Sequence, residues 1–100
     1  MLKDSNLNQF RTIIREHFGD LANRYGVESL GLFGSRVRGQ EHDNSDLDVL
    51  VQFREMPTLL RFIQLENELS DLLELRVDLV LRDSLKPSIA ESVAAEVVPI

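Results

Sequence analysis

The sequence predicts an α/β (α+β) domain, one small sheet with helices packed on it, in the order α-β-(α)-β-α-β-α. Three observations carry that prediction. The segments 27–33, 47–53 and 77–81 have strand length and carry most of their residues apolar. The segments before, between and after them repeat apolar residues every three or four positions, which is helical spacing. The 100 residues contain no repeat, linker or low-complexity stretch, so residues 1–100 read as a single domain.

Leu7, Phe10, Ile14, Phe18, Leu21 and Tyr25 form the stripe of a first amphipathic helix. Asn6 and Gln9 have capping-box spacing at its start, and Gly26 supplies a stop. Val27 to Phe33 is a strand that ends at Gly34, and Ser35 to Gly39 a short helical turn. Gln40 to Ser45 is polar and reads as a loop. Leu47, Val49, Leu50, Val51 and Phe53 make a second, mostly buried strand. Pro57 opens a second long helix carrying Leu59, Phe62, Ile63, Glu66, Leu69, Leu72 and Leu73. Val77 to Leu81 is a third strand. Ser84 caps a last helix with Pro87 in its first turn and Leu85, Ile89, Val93 and Val97 on one face.

The chemistry concentrates in two places. Gly34-Ser35 is a small-residue turn, and glycine lets backbone N–H groups approach a phosphate closely. Asp46 and Asp48 are spaced i, i+2 at the head of a strand, so their side chains share a face and can grip one cation. Asp78 lies inside the third apolar run, where a charge is costly unless paired or metal-bound. If the third strand lies beside the second, the three carboxylates converge. They would then raise one another's pKa, and a divalent cation would relieve the conflict. Oxygen donors without nearby His or Cys suit Mg²⁺ or Mn²⁺ better than Zn²⁺.

A phosphate cradle beside a carboxylate pair reads as metal-assisted phosphoryl or nucleotidyl transfer. In that reading Asp46 and Asp48 are shared ligands of two ions, and Asp78 binds the catalytic one and takes the proton of the incoming hydroxyl. Ser35 and the amides around Gly34 hold the β- and γ-phosphates of a nucleoside triphosphate. Arg36 and Arg38 neutralise the developing pyrophosphate charge.

Gly34-Ser35, Arg38-Gly39, Ser45-Asp46-Leu47-Asp48 and the later Asp78 together resemble the nucleotidyltransferase fold of the DNA polymerase beta superfamily. The chain is similar to its short branch, the minimal nucleotidyltransferases, although that branch usually has Ala where Val37 stands. The tail from Val77-Asp78-Leu79-Val80 through Leu85-Lys86-Pro87 to Glu91 resembles the branch as well. The resemblance implies a small mixed sheet and ATP as the substrate, since no residue pattern here reads one base over another. It also implies a HEPN-domain partner in a hetero-oligomer. Such a chain is expected to act as the antitoxin of a toxin–antitoxin pair, moving AMP from ATP onto a tyrosine of the partner and so inactivating a ribonuclease.

Bulk properties set the limits. The formal net charge of -6 argues against direct nucleic-acid binding and favours a partner with a basic face. The absence of cysteine excludes disulfides and thiolate zinc sites and fits a reducing cytoplasm. The first residues lack the apolar core of a secretory signal, and no run approaches a membrane span. A domain this small has little surface to enclose an acceptor, so a second protein is expected to bring it. Apolar contact for that protein is expected from the Leu85, Ile89, Val93, Val97 face or from Val98-Pro99-Ile100. Two other functions remain compatible: silencing of the partner by binding alone, and transfer to a small molecule.

Other polar residues have plainer readings. His17 and His42 lie in different elements and read as surface histidines. Glu66, Glu68, Asp71 and Glu74 read as a solvated helix face, and Tyr25 as packing. Arg38 has a structural alternative, folding back onto Asp46 or Glu41.

Overall fold

In the computed structural model, which describes residues 2–39 and 46–100, the elements run in the expected order with a 3₁₀ turn and a short fourth strand added. They are α1 (Leu2–Tyr25), β1 (Val27–Phe33), α2 (Ser35–Arg38), β2 (Leu47–Phe53), α3 (Leu59–Leu73), β3 (Val77–Leu81), a 3₁₀ turn (Arg82–Ser84), α4 (Pro87–Glu96) and β4 (Val98–Pro99). The expected loop at 40–45, with Ser45, His42 and Glu41, lies outside the described residues.

The sheet has the order β3-β2-β1-β4. β1 runs antiparallel to β2 and to β4, while β2 and β3 are parallel, so the sheet is mixed. The parallel pair needs a crossover, and α3 provides it. Side chains alternate along β2. Leu47, Val49 and Val51 are fully buried against Ile14 and Leu21 of α1 and Leu65 and Leu69 of α3. Asp48, Leu50 and Gln52 therefore point to the other face. There α4 lies over the sheet, and Leu50, Gln52, Leu85, Ala90 and Val93 line a groove of about 360 Å³. The period-2 pattern thus gives one face to the core and leaves the other to α4 and the acids.

Three local expectations are corrected. α1 begins at Leu2, so Asn6 lies inside the helix and not at its cap. Pro57 precedes α3, whose cap is Thr58: its Oγ1 accepts the Arg61 amide at 3.2 Å. Ser84 does not cap α4, because its hydroxyl donates to the Leu81 carbonyl in the 3₁₀ turn. Lys86 stands at the cap with Pro87 in the first turn, where proline's missing N–H costs nothing.

Val98-Pro99-Ile100, expected to offer apolar contact to a partner, is bound to the sheet. β4 pairs Val98 with Leu32 and Pro99 with Gly31, and the Ile100 amide donates to the Leu30 carbonyl at 3.1 Å. Arg11 and Arg15 of α1 donate to the carbonyls of Pro99 and Ile100, and Ile100 packs on the core. On α4, Val93 is buried but Ile89 remains largely exposed.

The α3 acids are likewise more than a solvated face. Glu66 accepts the Leu79 amide of the edge strand at 2.9 Å. Glu68 accepts the Tyr25 hydroxyl at 2.7 Å and pairs with Arg24, which also holds Asp20. Arg24 and Arg61 sit over the Tyr25 ring, with Arg61 4.5 Å from its centroid. Tyr25 is therefore packing, as expected, with its hydroxyl satisfied. His17 Nδ1 donates to the Ile13 carbonyl one turn back at 2.9 Å, a local helical contact.

Candidate active site

Asp48 and Asp78 are direct partners across the parallel β2–β3 ladder. Both point to the face away from the α1–α3 core, because their neighbours Leu47, Val49, Val77 and Leu79 are all buried in it. Asp46 stands two residues before Asp48, at the mouth of β2. The expected adjacency of the second and third strands is thus observed, and it sets Asp48 beside Asp78.

Their electrostatics record the crowding. Burial, then the charges of Asp78 and Asp46, push the Asp48 carboxyl up to about 6, with Glu96 adding to the rise and Arg38 opposing it. Among the described residues, no three acidic or histidine side chains are drawn up as a ready-made metal site. Like charges without a counter-ion repel, so an open array is what the uncompensated acids should adopt. The donor set is all carboxylate oxygen. A hard divalent cation such as Mg²⁺ fits both its chemistry and its unrelieved charge.

The glycine turn abuts this array. Gly34 has φ 88° and ψ -160°, a conformation that favours glycine. A β-carbon placed on it would lie 1.9 Å from Asp48 Oδ2, so only glycine fits against the acid. After it, the amides of Val37 and Arg38 both donate to the Gly34 carbonyl at 3.1 Å, closing α2. Gly39 ends α2 in the left-handed region. Val37 packs against the hydrophobic core, which anchors the turn. Ser35 opens α2 immediately after Gly34, and Arg36 and Arg38 follow on the same turn.

One residue of the site was not anticipated. Glu96, the last residue of α4, accepts the Gly34 amide at 3.0 Å and the Arg38 Nη1 at 3.0 and 3.1 Å. Burial would raise its carboxyl, but the Gly34 amide and the Arg38 guanidinium outweigh that and hold it below the usual range. Arg38 therefore pairs with an acid, as one reading of the sequence had it; among the described residues that acid is Glu96, while Glu41, one of the two partners expected, lies outside them. A signal was present. An acid in the last turn of a helix opposes the helix dipole, so it usually has another partner.

A nucleotidyltransferase domain model matches residues 7–99. The chain belongs to the nucleotidyltransferase domain family. Within it, the chain is 50% identical over 92 residues to protein adenylyltransferase MntA of Thermococcus cleftensis, covering 92% of this chain and 93% of that one. A solved minimal nucleotidyltransferase superposes with a TM-score of 0.75 at 34% identity, covering 98% of this chain and 95% of that one. A crystal structure of a toxin–antitoxin with AMP-PNP matches with a TM-score of 0.68 at 25% identity, covering 92% and 69%. The turn at Gly34 and the acid-bearing strands therefore belong to a nucleotidyltransferase domain, as their sequence spacing implied.

Proposed function

We propose that this chain is a protein adenylyltransferase that moves AMP from ATP onto a hydroxyl, expected to be a tyrosine, of a HEPN-domain toxin, and so serves as its cytoplasmic antitoxin. The observation that carries the reading is the register of Asp48 against Asp78, with the Gly34 turn in contact with Asp48. Acids and phosphate turn meet at one end of the sheet, the arrangement that nucleotidyl transfer requires. The likeness to a protein adenylyltransferase, and to a toxin–antitoxin bearing AMP-PNP, supports the choice of nucleotide and acceptor class.

Asp46, Asp48 and Asp78 would hold Mg²⁺, two ions in all, with Mn²⁺ an adequate substitute. When bound, the cation supplies charge neutralisation at the triphosphate and the entering oxygen. The chain's own groups do the rest. Ser35 and the first amides of α2 bind the β- and γ-phosphates. Arg36 and Arg38 offset the charge that builds on the departing pyrophosphate. The acceptor oxygen forms a bond to the α-phosphorus as the α–β bridging bond breaks. Asp78 takes the hydroxyl proton, and it is suited to do so because it is exposed on the edge strand, where an acceptor can be presented. The products are an AMP-modified side chain and pyrophosphate.

The test is incubation of the purified chain and its genomic neighbour's product with ATP and Mg²⁺, followed by mass spectrometry of the neighbour. AMP on a tyrosine supports the proposal. An unmodified neighbour that is nevertheless neutralised would favour silencing by binding alone.

A further inference from the structure

We infer that Glu96 is a positioning residue of the nucleotide site, one that fixes the Gly34 turn and directs Arg38 toward the polyphosphate. The inference rests on the nucleotidyltransferase reading and adds to it a residue from the far end of the chain. Glu96 bridges two groups 62 and 58 positions away, the Gly34 amide and the Arg38 guanidinium. These flank the turn on both sides. Its carboxylate engages a single guanidinium nitrogen, Nη1, with both oxygens within 3.1 Å.

Two features make this a fixed strut and not a passing contact. First, the backbone at Glu96 has no slack. The Val97 amide donates to Val93, and β4 pairs with β1 from Val98 onward. Gly31 lets this segment lie flat on the sheet, since a β-carbon there would meet Val97 Cγ2 at 2.6 Å. Second, the amide that Glu96 satisfies belongs to a buried residue. Losing the carboxylate would strand a buried donor. Glu96 also has a sorting role. Arg38 stands on the turn that follows Gly34, and Gly34 is in contact with Asp48. Held on Glu96, the guanidinium is kept from collapsing onto the acids that a cation must occupy.

A consequence follows for the phosphate turn. With the Gly34 amide given to Glu96, the phosphate-binding groups begin at Ser35. Arg38 then serves the β- and γ-phosphates, which ATP has and AMP lacks.

The experiment compares ATP and AMP binding by wild type, Glu96→Gln and Glu96→Ala, with thermal melts of each. Glu96→Gln keeps an acceptor for the Gly34 amide but removes the negative charge that faces Arg38. The expected result is about tenfold weaker ATP binding in Glu96→Ala, with AMP affinity changed less than about twofold. Glu96→Gln should fall between, and Arg38→Ala should add little further loss in the Glu96→Ala background. A purely structural role would lower both affinities together or lower only the melting temperature. If Glu96→Ala does not fold, the ATP-to-AMP ratio of Glu96→Gln decides. Unchanged or tighter ATP binding, or equal loss of ATP and AMP, overturns the inference. Wild type that binds no nucleotide would overturn the proposed function and this inference with it, whereas wild-type binding with indifferent variants overturns this inference alone.

Discussion

Gly34 and Asp48 are in contact, so closely that a β-carbon on the glycine would sit 1.9 Å from the carboxylate oxygen. The Gly34 turn and the first acid of the strand are one packed unit. Gly34→Ala should therefore disturb both. The positive φ of 88° adds strain to the clash, and together they should cost about 1–3 kcal/mol of stability. Nucleotide transfer should drop more than stability does, since Asp48 must move. Denaturant melts beside transfer assays check this, and full activity in Gly34→Ala would show the contact to be incidental.

Asp48 makes the cation-free protein pH-sensitive. Its folded pKa of about 6 lies above the ordinary 3.8, so the folded state holds this proton more tightly than the unfolded chain. The stability it contributes is complete below about pH 4 and is lost as pH rises through about 6. Asp48→Asn should lack that loss and should melt higher than wild type at pH 7 without divalent ions. Thermal melts from pH 4 to 8 in chelator would show the two curves diverging as pH rises. Parallel curves would mean Asp48 is unstressed.

Mg²⁺ should reverse the penalty. A ligand that binds only the folded state raises stability by mass action. Millimolar Mg²⁺ with ATP should raise the melting temperature of wild type at pH 7.5, and should leave Asp48→Asn and Asp78→Asn nearly unmoved. Calorimetric melts with and without the ion provide the check. An equal shift in the variants would place the cation elsewhere.

Two substitutions should separate fold from function. Gly19 is exposed within α1, and a β-carbon there would meet nothing within 4 Å. Gly19→Ala should stabilise by about 0.5–1 kcal/mol through helix propensity. Glu68→Ala should destabilise by about 1–2 kcal/mol, because the Tyr25 hydroxyl loses its acceptor. Neither should alter transfer at a temperature where both variants are folded. Chemical denaturation with a parallel activity assay measures both effects, and altered transfer in either would link α1 or α3 to the site.

Much of this was legible because each signal was local. The limits of β1 and β3 follow from short apolar runs ending at Gly34 and at the polar Arg82-Asp83. The face that Asp48 takes was legible because the period of two sets it opposite Leu47, Val49 and Val51. The start of α1 was not, since the polar residues before Leu7 carry no apolar stripe to mark a helix. Thr58 was passed over for Pro57 because both suit a helix start, and only the Arg61 amide decides between them. β4 has two residues, too few to show alternation, and it is a strand only because β1 offers a free edge. Glu96 joins Gly34 across 62 positions, a pairing set by the sheet and by α4 together. Spacing arguments do not reach that far.

The most direct test of AMP transfer uses ATP labelled on either the α- or the γ-phosphate, incubated with the chain, Mg²⁺ and the HEPN-type partner. The account predicts label on the partner from α-labelled ATP alone, with pyrophosphate released and no transfer by Asp48→Asn. Label from γ-labelled ATP, or transfer that survives in Asp48→Asn, would contradict it.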